Sequence, residues 1–258
     1  MKNLLIIPDV NDLESSISLA KEYNLGFEFN DFFKPGILDD GAQKDAVIKK
    51  YKSFDLPTTT TLHGAFFDVL PFSVDEKIRE ISMLRINQSL NAGREMNVKA
   101  VVFHTNYNPF LNSFGYIDEW INVNTKIWQK ILKDNKDVNI YLENMFDVSP
   151  IILKKLAENL SENENFGVCL DWAHATISGV TPQKWAEELS GFVKHIHIND
   201  NDLKSDLHLA WGEGQINRNV FYDCYEKYFE GTTVLVETPL LENKLKSLEQ
   251  LKKDGFLN

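Results

Sequence analysis

The sequence is poor in cysteine and in positive charge. It has two cysteines in 258 residues, Cys169 and Cys224, and their separation matches no metal-binding or redox motif. A disulfide framework is therefore not expected, and a reduced, cytoplasmic protein fits this composition. The 27 lysines and arginines are outnumbered by 38 acidic residues, which gives a formal net charge of −11. This charge argues against a general nucleic-acid-binding surface.

Long apolar runs and glycine-rich phosphate loops are also missing. No stretch approaches the ~20 apolar residues of a membrane span, so no membrane partner is expected. The N-terminal segment lacks the layout of a signal peptide, because the apolar run 4–7 is followed at once by Pro8 and Asp9. The turn that follows this first apolar run contains no glycine, which weakens the case for an open, doubly wound nucleotide-binding sheet.

What the sequence does contain is an alternation of short aliphatic or β-branched runs with longer stretches of helical spacing. Such alternation predicts βα units and a parallel sheet. A chain of 258 residues is the size of one (β/α)8 barrel. We therefore expect a single-domain α/β TIM barrel over residues 1–258. The eight predicted strands are 4–7, 26–29, 59–63, 100–104, 139–143, 167–171, 193–197 and 233–237.

Apolar residues at helical spacing predict helices between these strands. The first helix begins near Asn11 and Glu14, which are placed as a capping pair. The last helix is closed by Gly255. The apolar sets that mark four helices are Leu13, Ile17 and Ala20; Ile78, Ile81 and Leu84; Ile121, Trp128 and Leu132; and Leu241, Leu245, Leu248 and Leu251.

Side chains that can bind metals end six consecutive predicted strands, the third to the eighth. The carboxyl ends of parallel strands converge on one mouth of a barrel, where active sites are built. Two loops add His174 after the sixth strand, and Asp206 and His208 after the seventh. The strand-end residues are His63, His104, Glu143, Asp171, His197 and Glu237.

Imidazole and carboxylate groups are the ligands that zinc and manganese prefer where thiolates are absent. Taken alone, His63 could be a hydrogen-bonded structural histidine, and Asp171 could cap the next helix. Chance does not align such residues at six successive strand ends, and carboxylates gathered in one mouth repel one another without cations. The pattern therefore predicts a divalent-metal site, with zinc favoured over manganese or magnesium. His195, two residues before His197, is expected one layer deeper.

The segments around these residues resemble a known superfamily. They are LHGAF, VVFHT, IYLEN, VCLDWAHA, HIHIND, SDLHLAWGEGQIN and LVETP. They resemble the xylose-isomerase-like TIM barrels, also called the AP endonuclease family 2 fold, over nearly the whole chain. That superfamily contains sugar and sugar-phosphate isomerases and epimerases, and also endonuclease IV. The resemblance to the isomerases implies one divalent metal, held by Glu143, Asp171, His197 and Glu237.

The resemblance to endonuclease IV implies three zinc ions instead, so one to three ions per chain are expected. The Asp206-x-His208 pair is the feature that leans toward three. By this analogy, the first ion would be held by His63, His104 and Glu143; the second by Glu143, Asp171, His197 and Glu237; and the third by His174, Asp206 and His208.

From these features we expect a metal-dependent isomerase or epimerase acting on a small sugar or sugar phosphate. Glu143 and Glu237 would act as general acid and base. His174 is placed with them as a catalytic residue, and His197 would orient substrate or metal. The residues predicted to contact substrate are His63, His104, Trp172, Phe66 and Asn106.

The alternative is a zinc-dependent phosphoester hydrolase of the endonuclease IV type, with a trinuclear site. Basic residues in the loops expected at the mouth are few, namely Lys34, Lys204 and Arg218, which argues against duplex DNA as a partner. A sugar-binding module without turnover is a third hypothesis, and the oligomeric state is left open. Aromatic residues in these loops suit a sugar face or an extruded nucleotide; they are Phe66, Phe67, Phe72, Tyr107, Phe110, Phe114, Tyr116, Trp172 and Trp211.

Overall fold

The computed structural model describes residues 3–66, 68–111 and 115–257, so Phe67 and Phe114 of the aromatic set lie outside the described residues. Eight parallel strands close into a barrel in chain order, and the eighth strand pairs with the first. The predicted TIM barrel is confirmed. The strands are β1 (Asn3–Ile6), β2 (Gly26–Phe29), β3 (Thr60–His63), β4 (Ala100–His104), β5 (Asn139–Glu143), β6 (Phe166–Asp171), β7 (Val193–Ile198) and β8 (Thr233–Val236).

Helices connect the strands and cover the outside of the barrel. Because one face of each strand meets the barrel interior and the other meets these helices, every residue of β2, β3, β4 and β6 is buried. No helix in the described ranges is long and apolar enough to cross a membrane. The helices are α1 (Leu13–Tyr23), α2 (Pro35–Asp39), α3 (Gly41–Lys52), α4 (Glu76–Met96), α5 (Tyr116–Asp134), α6 (Pro150–Leu160), α7 (Trp172–Ile177), α8 (Pro182–Leu189), α9 (Arg218–Cys224) and α10 (Leu241–Lys253).

The predicted start of α1 is wrong by one residue. Asp12 is the N-cap, and its side chain accepts a hydrogen bond from the backbone N–H of Ser15. The predicted pair of Asn11 and Glu14 therefore does not form the cap. Aspartate at this position satisfies one of the amide groups that a helix start leaves without an intrahelical partner.

Helix α4 is confirmed, but its apolar marker residues do not face the barrel. Ile78, Ile81 and Leu84 are 39%, 41% and 46% exposed. The buried face instead carries Ile86 and Leu90, together with small residues that let the helix approach the sheet closely. These small residues are Ser82, Ser89, Ala92 and Gly93.

Candidate metal centre

The nine predicted ligands converge at the carboxyl-terminal mouth of the barrel. Six come from the strand ends, as the sequence predicts, although Glu237 directly follows the last residue of β8. His174 lies in the first turn of α7, and Asp206 and His208 lie in the loop between β7 and α9. The strand-end side chains and His174 are buried, with at most 9% exposure. Eight of the nine residues form three clusters, and Glu237 lies beside the second of these, 3.5 Å from His197 Nδ1.

The first cluster consists of His63, His104 and Glu143. The Nε2 atoms of His63 and His104 lie 3.3 Å and 3.7 Å from Glu143 Oε2. The ring of Phe66 lies against both imidazoles, with centroids 4.3 Å from His63 and 5.2 Å from His104. The predicted substrate contact Phe66 therefore lines the first cluster.

The second cluster consists of Glu143, Asp171 and His197, with Glu237 beside it. One donor atom from each of Glu143, Asp171 and His197 lies within 4.8 Å of the other two. His197 Nδ1 is 3.5 Å from Glu143 Oε2 and also 3.5 Å from Glu237 Oε2. Glu143 thus belongs to both the first and the second cluster, and one of its oxygens faces three imidazoles.

The third cluster consists of His174, Asp206 and His208. Asp206 Oδ2 lies 3.3 Å from His174 Nε2 and 3.2 Å from His208 Nε2. His208 adopts a positive φ of 48°, a left-handed backbone conformation that is unfavourable for a residue with a Cβ. The loop therefore carries local backbone strain at a predicted ligand.

The distances between these side chains fit metal ligands. Two ligands of a tetrahedral zinc ion, with bonds of about 2.0–2.1 Å, lie roughly 3.4 Å apart. The imidazole-to-carboxylate distances in the clusters run from 3.2 to 3.7 Å. Buried polar atoms usually have a hydrogen-bond partner, but several atoms here have none among the described residues. They include Asp171 Oδ2, His174 Nε2, His197 Nδ1, Asp206 Oδ1 and Glu237 Oε2.

Three of the histidines are oriented by backbone carbonyl groups. A carbonyl oxygen can only accept, so each Nδ1 carries a proton and Nε2 is the nitrogen that faces the cluster, where its lone pair could bind a metal. Such outer contacts fix the tautomer of metal-binding histidines. The donor and acceptor residues are His63 and Gly64 (3.1 Å), His174 and Asn144 (2.9 Å), and His208 and Glu237 (3.0 Å).

The electrostatics of the mouth also favour cations. Burial raises the pKa of Asp171 to about 7. Burial also opposes ionisation of Glu143, but the neighbouring His197 outweighs it and holds the pKa of Glu143 well below its usual range. Although burial lowers the pKa of His208, the contacts with Asp206 and the charge of Glu237 raise it to about 10. Without metal the site balances its charge with protons, which bound cations replace.

Two buried carboxylates that the sequence did not predict contact the residues and the loop that form the clusters. Glu28, in the middle of β2, is fully buried and lies beneath His197, with its Oε1 3.3 Å from His197 Nε2. Its other oxygen, Oε2, accepts a hydrogen bond from Thr61 Oγ1 at 2.7 Å and lies 3.1 Å from His195 Nε2. His195 is fully buried, as its depth in the strand predicts.

The second missed carboxylate is Asp200, which follows β7. It is fully buried and accepts hydrogen bonds from the backbone N–H groups of Asn201, Gly212 and Ile216 at 2.9–3.0 Å. These contacts close the loop that carries the third cluster. Gly214 fits against this carboxylate, because an added Cβ would lie 2.3 Å from Asp200 Oδ1.

Two other predicted substrate contacts lie in packed surroundings. Asn106 donates from its side chain to the carbonyl oxygens of Phe66 and Val69, and so ties the loop after β4 to the loop after β3. Trp172 is fully buried, and its ring packs edge-on against Phe221. The structure does not bring Trp172 into any of the three clusters, and its contact with substrate stays a prediction.

A family model described as "Xylose isomerase-like TIM barrel" matches residues 18–254. The chain belongs to this family. Among curated proteins it is similar to an uncharacterized protein of Methanocaldococcus jannaschii, with 29% identity over 206 residues that cover 74% of this chain and 68% of that protein.

A second relative carries a named activity. Apurinic-apyrimidinic endonuclease 1 of Plasmodium berghei is 27% identical over 220 residues, which cover 76% of this chain and 42% of that protein. Among solved structures, a D-tagatose 3-epimerase-like protein superposes with a TM-score of 0.78 at 24% identity, covering 98% of this chain and 96% of that one. The structural likeness shows a shared fold.

Proposed function

We propose that the protein is a metal-dependent phosphoester hydrolase with a trinuclear centre, in which zinc is the preferred ion. The observation that carries this proposal is the third cluster. His174, Asp206 and His208 come from two separate loops, and their donor atoms lie within 4.8 Å of one another. The strained backbone of His208 and its orientation by the Glu237 carbonyl suit a ligand better than an ordinary loop residue.

Phosphoester hydrolysis suits such a centre. Divalent cations held by these residues would activate water and would offset the negative charge of phosphoryl oxygens. The chain contributes the ligands and holds them in place. Glu143 links the first two clusters, and Asp206 accepts both imidazoles of the third. The similarity to an apurinic-apyrimidinic endonuclease supports the same reaction class.

The charge of the mouth restricts the size of the substrate. The loops expected at the mouth carry few basic residues, namely Lys34, Lys204 and Arg218, and the Arg218 side chain is already paired with Asp254 at 2.9 Å. A phosphate backbone needs many more cationic contacts to bind. We therefore propose a small phosphorylated carbohydrate as the substrate, in preference to duplex DNA.

One observation favours a second candidate, a sugar isomerase or epimerase. Glu143 and Glu237 each lie 3.5 Å from His197 Nδ1, so two carboxylates flank the second cluster. In that position they can transfer a proton to and from a substrate carbon as general acid and base. This reaction would need the second cluster alone, so it should persist when Asp206 of the third cluster is substituted.

Two assays on the same zinc-loaded protein separate the candidates. Hydrolysis is measured by release of p-nitrophenol from p-nitrophenyl phosphate and bis(p-nitrophenyl) phosphate, and of phosphate from a panel of sugar phosphates. Isomerisation is measured by NMR as exchange of carbon-bound hydrogen of sugars and sugar phosphates in D2O. Elemental analysis gives the metal content. We expect about three ions per chain, phosphoester hydrolysis, and no hydrogen exchange.

The variant Asp206→Asn sharpens the comparison, with Asp202→Asn as its control. Both residues lie in the loop after β7, but Asp202 caps backbone N–H groups and belongs to no cluster. Asp206→Asn is expected to lower hydrolysis by roughly 100-fold or more, since several kcal/mol of charge stabilisation is lost. Hydrogen exchange that persists in this variant, with one ion per chain, would establish the isomerase instead.

A further inference from the structure

Glu28 occupies an unusual place for a carboxylate. It lies in the middle of β2, between Phe27 and Phe29, and none of its surface is exposed. Interior layers of TIM barrels are filled mainly by branched apolar side chains. A buried carboxylate is costly unless other groups compensate for it, so its contacts indicate what it does.

One oxygen of Glu28 is held in place by neighbours. Oε2 accepts from Thr61 Oγ1 at 2.7 Å and lies 3.1 Å from His195 Nε2. His195 is fixed in turn, because its Nδ1 lies 2.6 Å from Thr233 Oγ1. These contacts immobilise the carboxylate and leave the other oxygen, Oε1, directed to a different partner.

That partner is the imidazole of His197. Glu28 Oε1 lies 3.3 Å from His197 Nε2, while His197 Nδ1 lies 3.5 Å from both Glu143 Oε2 and Glu237 Oε2. Within the described part of the chain, Glu28 Oε1 and His197 Nε2 form no hydrogen bond of good geometry, and their 3.3 Å contact with each other is an ion-pair contact between two buried polar atoms. The imidazole therefore connects the buried carboxylate to the second cluster.

This arrangement differs from that of three other histidines at the mouth. His63, His174 and His208 direct Nε2 to their clusters and are oriented by neutral carbonyl groups, whereas His197 directs Nδ1 and faces a carboxylate. A carboxylate behind a metal-binding histidine fixes its tautomer and increases its basicity as a ligand.

We infer that Glu28 is a positioning residue for the metal centre, which holds His197 with its proton on Nε2 and its Nδ1 lone pair toward the second cluster. Thr61 and His195 hold Glu28 in place. The inference rests on the metal centre of the proposed function and is independent of which reaction that centre catalyses.

The test is the zinc affinity of Glu28→Gln, measured by competition with a chromophoric chelator at pH 8. Asp147→Asn is the matched control. Asp147 is also a fully buried carboxylate near the mouth, but its contacts are Thr105 Oγ1 and the Met145 N–H rather than a predicted ligand. It thus reports the loss of one buried negative charge without loss of contact to His197.

We expect Glu28→Gln to weaken binding of one zinc ion by roughly 10- to 100-fold, and Asp147→Asn to stay within about threefold of wild type. Equal losses in both variants, or no loss in Glu28→Gln, would overturn the inference while leaving the metal centre intact. A wild-type protein that binds no zinc would overturn both. Thermal unfolding of the metal-free variants shows whether each one is folded.

A measurement on the wild-type protein is independent of any folding defect. Long-range 15N–1H NMR of the zinc-loaded protein distinguishes the two ring nitrogens of each histidine. His197 is expected to carry its proton on Nε2. His174 and His208, whose Nδ1 atoms face backbone carbonyl groups, are expected to carry theirs on Nδ1. A proton on Nδ1 of His197 would contradict the inference.

Discussion

Asp200 should hold the third cluster together, and the substitution Asp200→Asn tests this. The carboxylate accepts three backbone N–H groups, from Asn201, Gly212 and Ile216. It also forms a backbone bridge with Leu209, next to His208. Asparagine has the same shape but replaces one accepting oxygen with an N–H2 group, and it removes the charge.

The magnitude follows from these three hydrogen bonds. One buried N–H loses its acceptor, which costs roughly 1–3 kcal/mol, and the other two bonds lose their charge assistance. The sum is roughly 2–5 kcal/mol of unfolding free energy, or a fall in Tm of roughly 5–15 °C for a chain of this size. Because the loop is then less constrained, the strained φ of His208 can relax and its imidazole leaves the third cluster.

Thermal unfolding of the metal-free protein and elemental analysis after zinc loading measure the two effects. Asp202→Asn is the control, because this neighbouring aspartate caps the N–H groups of Lys204 and Ser205 where water can replace it. Asp200→Asn should lose stability and one ion per chain, and Asp202→Asn neither. If both variants unfold at the same temperature and retain the same metal content, the role assigned to Asp200 is wrong.

Four further predictions concern the same centre. Glu143→Gln should lose the ions of both the first and second clusters, because its carboxylate is common to both; elemental analysis checks this. Gly214→Ala should cost roughly 1–3 kcal/mol in a denaturant titration, because the new Cβ would lie 2.3 Å from Asp200 Oδ1. Metal-free protein should lose stability as pH rises from 7 toward 10, because the raised pKa of His208, about 10, keeps a proton on the folded imidazole that the unfolded chain has released. Zinc replaces that proton, so its apparent affinity should strengthen over the same range in a chelator competition series.

The strand ends were the part of the site that the sequence predicted best. In a closed parallel barrel, the carboxyl end of every strand reaches the same mouth, so a ligand at the end of a strand has a known position. His63, His104 and Asp171 could be placed in this way from short apolar runs alone. The convergence of Asp206 and His208 with His174 could not, because it depends on how a loop folds back.

Glu28 and Asp200 were missed for different reasons. Glu28 lies one residue before the end of β2, so a search of strand ends passes over it, although a charged residue within a buried strand was a usable signal. Asp200 acts through backbone N–H groups up to 16 residues away, and no side-chain pattern in the sequence marks those partners.

The faces of the helices were harder to predict than their existence. In α4, Ile78, Ile81 and Leu84 follow helical spacing but are partly exposed, while Ser82 and Ser89 are buried. The serine hydroxyl groups are satisfied locally by carbonyl groups of the preceding turn, and each also accepts a backbone N–H from the loop after β3. A hydrophobicity pattern cannot anticipate this tertiary use of small polar residues.

Because Glu143 belongs to two clusters, a substitution there has a wider effect than a substitution in the third cluster. In the proposed centre, loss of this one side chain would remove a ligand from two ion positions at once. The third cluster draws two of its ligands from a single loop, and substitutions at Asp206 and His208 can remove it without touching any strand. If the proposed centre is correct, a few residues of one connecting segment would decide how many ions such a barrel holds.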